Sequence, residues 1–345
     1  MDGGAFDALT PKDETQAARF VRDNPLADGR GVIVAILDTG VDPGASGLHT
    51  TSDGRPKILD MVECSGSGDV DMSTIRKASP DLTIEGITGR VLLLNPTWQN
   101  PSGTWRVGAK SAWELYPTSL RSRMKSERAA LLARETALLA ADLACGAAAA
   151  AVVGGLAAAE ADKRVAALKD ALGVRGRRLR KTAPLPLAPT PDPCPLQEDD
   201  GGRVYDVVAW HDGTTWRAAL DTGCVGDLRT APGFASFRVE RQWGVLDPET
   251  LLSYALNVYD AGATVSVVTD AGAHGTHVAG IVSAHHPHDS HLCGVAPGAQ
   301  IVSLKIGDSR LGSMETGTGL VRALRAILDN GCDVVNMSYG EQTGC

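Results

Sequence analysis

Residues 31–38, GVIVAILD, form an unbroken apolar and β-branched run that ends in a carboxylate, Asp38. A strand with one wet face alternates apolar with polar side chains. A run without alternation suits a strand covered on both faces, as in a parallel sheet flanked by helices. Thr39-Gly40-Val41-Asp42-Pro43-Gly44 then turns the chain. An acid at the C-terminal end of a parallel strand stands where open α/β folds place their sites. This run therefore points to the α/β class with a mostly parallel sheet, and makes Asp38 the first candidate functional residue.

The second constraint lies far downstream, in Gly272-Ala273-His274-Gly275-Thr276-His277-Val278-Ala279-Gly280-Ile281-Val282-Ser283. His274 heads a helix whose first turns are made of small residues, which let other backbones come close. A proton-shuttling imidazole has to be reachable by both substrate and nucleophile, and such a position allows it. His277, one turn on, is expected to be a packing residue. After this stretch the pattern predicts a strand at 300–305 and a helix at 315–330. Leu320, Leu324, Ile327 and Leu328 line one face of that helix, and Gly331 stops it. A strand at 332–337 follows. Alternating helices and strands again suit a parallel α/β sheet.

Composition narrows the function classes. The 345 residues carry 33 basic and 41 acidic side chains, a net charge of −8, which argues against a general nucleic-acid binder. The seven cysteines are scattered and include no CxxC pair, so we expect reduced thiols in a cytoplasmic protein, with no disulfide frame, no metal site and no cofactor. The first twenty residues lack a basic segment followed by an apolar core, and no secretory signal is expected. Residues 143–159 are uncharged but mostly Ala and Gly, too short and too weakly apolar for a membrane span.

Between the two constraints lies a long mixed segment. Turn residues dominate 45–110, with short strand candidates at Lys57–Glu63 and Arg90–Leu94. Residues 118–172 are predicted to be an Ala-rich helix, with Leu131, Leu132, Leu138, Leu139 and Leu143 at roughly helical spacing. The basic cluster Arg175–Lys181 is expected to be a solvated flank of the proline-rich connector at 182–202. VYDVVAW and TTWRAAL, joined through Asp212-Gly213, predict a β-hairpin. LNVYD and ATVSVVTD, joined through Ala261-Gly262, predict another that leads into Gly272.

Asp38 in its apolar-apolar-Asp-Thr-Gly setting, followed by His-Gly-Thr-His-Val-Ala-Gly, resembles the subtilisin-like serine proteases, whose triad runs Asp, His, Ser along the chain. The resemblance implies a subtilisin-like three-layer fold, with His274 as general base and Asp38 as its orienter. Ordinary members separate the two by a few dozen residues, whereas most of this chain lies between them. That long insertion, LDTGVDPGA at Asp38, METGTGL at Glu315 and NMSYGE at Glu341 are similar to the tripeptidyl-peptidase branch of the family. Its members are large cytosolic exopeptidases that release tripeptides from free N-termini and assemble into very large oligomers. The similarity covers residues 25–65 and 200–345 and fades across 120–200.

The resemblance carries further expectations. Residues 1–44 are the first part of the catalytic domain, 45–255 an insertion, and 256–345 the second part, incomplete. Glu315 and Glu341 match glutamates that bind the substrate's α-ammonium; without the resemblance each reads as a helix-end or loop charge. Ser338 and Gly340 match the segment that pairs with the substrate backbone as an added strand. The partners implied are oligopeptides with free N-termini and, in the full-length protein, further copies of itself, with no nucleic acid and no membrane. The Gly-Thr-Ser-Met-Ala-like nucleophile motif and the oxyanion asparagine are expected after residue 345, so these residues alone are expected to be inactive. Two other readings remain open. One is a non-catalytic binding or assembly module descended from a protease. The other is an aspartic protease built on the two Asp-Thr-Gly triplets, at Asp38 and Asp221.

Overall fold

The computed structural model describes residues 12–152 and 203–340. Four strands form a parallel sheet in the order Val334–Asn336, Ile33–Asp38, Gln300–Lys305, Ile58–Glu63. The 31–38 run does become a strand sealed on both faces. Val34 and Ile36 point to one side with Ile301, Ala279 and Val282. Ala35 and Leu37 point to the other with Leu304, Ala323 and Ile327. Each fully buried Val, Leu or Ile contributes about 1.5–3 kcal/mol. The helices that supply these partners are His274–Ser283 on one face and Gly317–Asn330 on the other. Helix, sheet and helix make the three layers expected.

Alternation along Ile33–Asp38 puts the Asp38 side chain on the His274–Ser283 side. The strand Ile58–Glu63 lies within the span read from sequence as insertion, yet it pairs in parallel with Gln300–Lys305 and belongs to this sheet. Two antiparallel sheets are formed by the intervening residues. One has the order Phe234–Ala235, Trp216–Leu220, Val204–His211, Thr104–Ser111, Thr74–Lys77; the other runs Gly244–Val245, Ser253–Tyr259, Thr264–Val268, Asp69–Asp71. Both predicted hairpins are present, at Val204–His211 with Trp216–Leu220 and at Ser253–Tyr259 with Thr264–Val268. Asp212 Oδ1 accepts from the Thr214 and Thr215 amides, which closes the first of them.

The chain divides into two compact units, one of residues 1–118 with 203–345 and one of 119–202. The Ala-rich segment is helical over Thr118–Val152, all but its first residue in the second unit, and its Leu131 and Leu138 are exposed. The rest of the predicted helix, the basic cluster and the proline-rich connector lie outside the described residues. Among the described residues no helix is long and apolar enough to cross a membrane.

Candidate active site

Asp38 ends its strand with a side chain that is 0% exposed. His274 opens its helix 236 residues later, and its Nδ1 lies 2.8 Å from Asp38 Oδ1 and 2.9 Å from Oδ2. A carboxylate can only accept, so it selects the tautomer with the proton on Nδ1 and leaves Nε2 free to take one. The His274 side chain is 54% exposed, so the ring is held at one nitrogen and open at the other.

Thr39 builds the junction that makes this possible. Its Oγ1 donates to the Gly272 carbonyl at 2.6 Å and accepts from the Gly275 amide at 2.9 Å. The second bond satisfies one of the orphan amides at the start of a helix that has no side-chain cap of its own. Thr276 Oγ1 accepts from the Asp42 amide at 2.9 Å, a second tie between the same segments. Gly275 is required: a Cβ there would meet the Gly40 carbonyl oxygen at 2.3 Å. Gly40 is required too, with φ of +101°. His277 is exposed rather than packed, because three residues past His274 the helix surface turns to solvent.

Charge is concentrated under the pair. Lys305 is the register partner of both Asp38 and Glu63 on the neighbouring strands, and it is fully buried. Its Nζ donates to Ser67 Oγ at 2.8 Å and lies 3.6 Å from Glu63 Oε1, while burial pushes the ammonium's pKa down. Glu63 is held in turn by the Ser65, Gly66 and Gly68 amides. Asp270, half-buried beside Gly40, has its carboxyl pushed up to about 6 by burial and by Asp42, against the pull of Lys305 and the Gly272 amide.

The helix expected from residue 315 starts at Gly317, with Thr316 as N-cap accepting from the Gly319 amide. Glu315 therefore lies before the cap. It sits in a short ribbon in which Gly307–Asp308 pairs with Met314–Glu315. Glu315 Oε2 is buried and has no hydrogen-bond partner among the described residues. Two residues that sequence reasoning missed join this ribbon to the rest of the site. Ser313 Oγ donates to the Ala271 carbonyl, just before His274, and the Tyr339 hydroxyl donates to the Ser313 carbonyl. Tyr339 stands between Ser338 and Gly340, which are exposed, and Ser338 Oγ donates to Asn336 Oδ1 at 3.1 Å. The structure thus brings together the approach to His274, the Glu315 ribbon and the 338–340 segment. Glu341 lies outside the described residues. A positive φ at Ser313, +74°, marks a turn that its sequence does not announce.

The second Asp-Thr-Gly triplet does not share a site with the first. Asp221 Oδ2 accepts from the Gly226 amide at 2.8 Å and Oδ1 from the Val225 amide at 3.3 Å, so its carboxylate closes its own turn. Asp38 is committed to His274, and the two carboxylates do not form the proton-sharing dyad of an aspartic protease.

The subtilase family model matches residues 29–344. Tripeptidyl-peptidase 2 of Arabidopsis thaliana is 47% identical over 343 residues, covering 97% of this chain and 24% of the relative. Tripeptidyl-peptidase 2 of Caenorhabditis elegans is 38% identical over 341 residues, again covering 97% of this chain and 23% of the relative. A crystal structure of tripeptidyl peptidase 2 superposes with a TM-score of 0.65 at 29% identity, over 93% of this chain and 24% of that one. The chain thus spans about a quarter of the length of these relatives. A parallel sheet with Asp38 at a strand end, His274 at a facing helix start and a family match across nearly the whole chain lead to one conclusion: the chain belongs to the subtilase family.

Proposed function

We propose that these residues are the N-terminal portion of a tripeptidyl-peptidase, supplying the acid–base half of a serine exopeptidase and the anchor for the substrate's free N-terminus. The observation that carries the reading is the Asp38–His274 pair, with Nδ1 fixed and Nε2 open. Nε2 removes the proton from a serine hydroxyl as it attacks the scissile carbonyl, then returns it to the leaving amine. Asp38 stabilises the imidazolium formed in between and itself stays ionised. The serine and the oxyanion asparagine are assigned to the portion that relatives carry beyond the matched span.

Glu315 supports the exopeptidase part. A buried carboxylate oxygen without a partner calls for a cation, and the α-amine of a peptide, with a pKa of about 7.7–8.0, supplies one at neutral pH. Glu341 is assigned as the second carboxylate of the anchor, and Ser338 with Gly340 as the backbone strip that receives the substrate as an added strand. An anchor at a fixed distance from the scissile bond measures out the tripeptide.

An exposed apolar edge supports the view that the domain continues. Val334 and Val335 are 48% and 50% exposed on a strand that, among the described residues, is paired on one side, to Ile33–Asp38. Val321, Leu324 and Leu328 form an exposed stripe on the helix packed against one face of that sheet. The protein is assigned to the cytoplasm, and to a homo-oligomer in its full length. The test is a chimaera of residues 1–345 followed by the downstream portion of the Arabidopsis relative. It is expected to release tripeptides from a free-amine peptide and to leave the N-acetylated peptide intact. Equal cleavage of both would rule out the exopeptidase reading.

A further inference from the structure

The helix that presents His274 ends in an unusual way. Its last carbonyls need partners, and each finds one outside the helix or at its cap. The Gly280 carbonyl takes the Ala284 amide, Ile281 takes Val295, Val282 takes Ala296, and Ala284 takes Gly294, at 2.8–3.0 Å. The remaining one, Ser283, takes a side chain: Lys57 Nζ at 2.6 Å. The same ammonium donates to the Pro297 carbonyl at 2.7 Å and to the Ala299 carbonyl at 2.9 Å. Its three donors are met by three carbonyls, which fixes its position in all directions.

Lys57 is 0% exposed, and among the described residues no carboxylate lies within ion-pairing distance of it. Burying a cation without a counter-ion is costly, so a lysine that merely filled space would be a poor choice here. What offsets the cost is the carbonyl trio and the negative end of the helix dipole. The three carbonyls also come from different places. Ser283 ends the helix of His274. Pro297 and Ala299 lead directly into Gln300–Lys305, the strand that pairs in register with the strand of Asp38. The Lys57 carbonyl itself accepts from the Ile301 amide of that strand. One side chain therefore ties the helix carrying the histidine to the sheet carrying the aspartate.

We propose that Lys57 is a positioning residue for His274, setting where the helix lies along the sheet and so holding the imidazole against Asp38. The proposal rests on the assignment of His274 and Asp38 given above. At the other end the helix is held by Thr39 and Thr276. A slip of one residue's rise, about 1.5 Å, would carry Nδ1 out of hydrogen-bond reach of the carboxylate. Misplacements of about 1 Å are enough to cost an enzyme about a hundredfold in rate.

Lys57 also makes the clamp sensitive to pH. Burial pushes its ammonium down to about 8, against the opposing influence of Cys293, Asp28 and Asp53; the neighbouring His285 imidazole is itself pushed below its ordinary value by burial and by Lys57, and is neutral in this range. Asp28 is engaged by Arg30 and Ser52, and Asp53 by Thr51 and Arg55. A neutral amine has two N–H donors for three carbonyls, so the hold on the helix loosens as pH passes about 8.

The test reads His274 directly and needs no proteolysis. Ring nitrogen and carbon NMR shifts of His274, assigned by comparison with His274→Gln, are recorded in the 345-residue chain and in Lys57→Met. Methionine keeps the length and removes every donor. The wild type is expected to show a single Nδ1–H tautomer, and Lys57→Met to lose it in favour of the mixture of a free imidazole. Val208→Ala, a cavity in the five-stranded sheet, is expected to lower stability and leave the His274 shifts unchanged. A folded Lys57→Met with wild-type His274 shifts overturns the proposal. If Lys57→Met does not fold, Lys57→Gln, which leaves two N–H donors where there were three, decides: a partial loss of the fixed tautomer is expected, and wild-type His274 shifts overturn the proposal. A wild type without a fixed tautomer would sink the Asp38–His274 assignment itself, an outcome distinct from failure at Lys57 alone.

Discussion

Gly275 lies backbone to backbone against Gly40, so close that a Cβ on Gly275 would stand 2.3 Å from the Gly40 carbonyl oxygen and 3.1 Å from Asp38 Cβ. The His274–Asp38 distance is set by this contact, because Gly275 follows His274 and Gly40 lies two residues past Asp38. Gly275→Ala is expected to push the helix away from the strand end, at a cost of about 1–3 kcal/mol in stability. Thermal unfolding and the His274 tautomer would both register the change. A variant with unaltered stability and tautomer would mean that the contact is slack.

Asp38→Asn keeps the shape of the carboxylate and loses its charge and its obligatory acceptor character. An amide can donate to Nδ1, which stabilises the wrong tautomer. In the active chimaera kcat is expected to fall by about 10⁴. A loss of only a few-fold would show that something other than Asp38 orients the ring.

Glu315→Gln should separate binding from chemistry. The unpartnered oxygen of Glu315 is assigned to the substrate's ammonium. Removing one member of a desolvated charge pair costs about 2–5 kcal/mol. The loss is expected in kcat/KM for the free-amine peptide and to be absent for any residual cleavage of the N-acetylated one. Equal losses for both would remove the amine-anchor role.

Asp270 makes a prediction about pH with a definite sign. Its carboxyl rises from 3.8 to about 6 on folding, through burial and the nearby Asp42. The folded chain therefore binds this proton more tightly than the unfolded one. The stabilisation is complete below 3.8 and is lost as pH rises through about 6. Asp270→Asn mimics the protonated form at every pH. Its melting temperature should rise relative to wild type between about pH 4 and about pH 7. A constant difference across that range would contradict the shift.

How much of this was legible in the sequence depends on how far each feature is local. The run 31–38 announced a buried parallel strand because its pattern admits little else, and the small residues around His274 announced a close approach. Both hairpins were legible from their turns. The sequence alone groups the strand Ile58–Glu63 with the insertion, since nothing in a turn-rich stretch tells which sheet a short strand will join; that is decided by Gln300–Lys305, far along the chain. Glu315 was expected inside a helix, but Thr316 is the better cap and takes that position. Lys57 and Lys305 were invisible for a different reason. A lysine in isolation reads as surface, and only three converging carbonyls, or a serine and a glutamate on a neighbouring strand, give it a reason to be inside. Ser313 and Tyr339 act through single contacts across the chain, which no spacing rule detects.

His274 is proposed to work as the general base of a serine exopeptidase, with Asp38 behind it. The most direct measurement is kcat/KM for tripeptide release from a free-amine peptide by the active chimaera and by its His274→Ala variant. A fall of about three or more powers of ten, with peptide binding retained, is the predicted result. Unchanged release by the His274→Ala variant would contradict it.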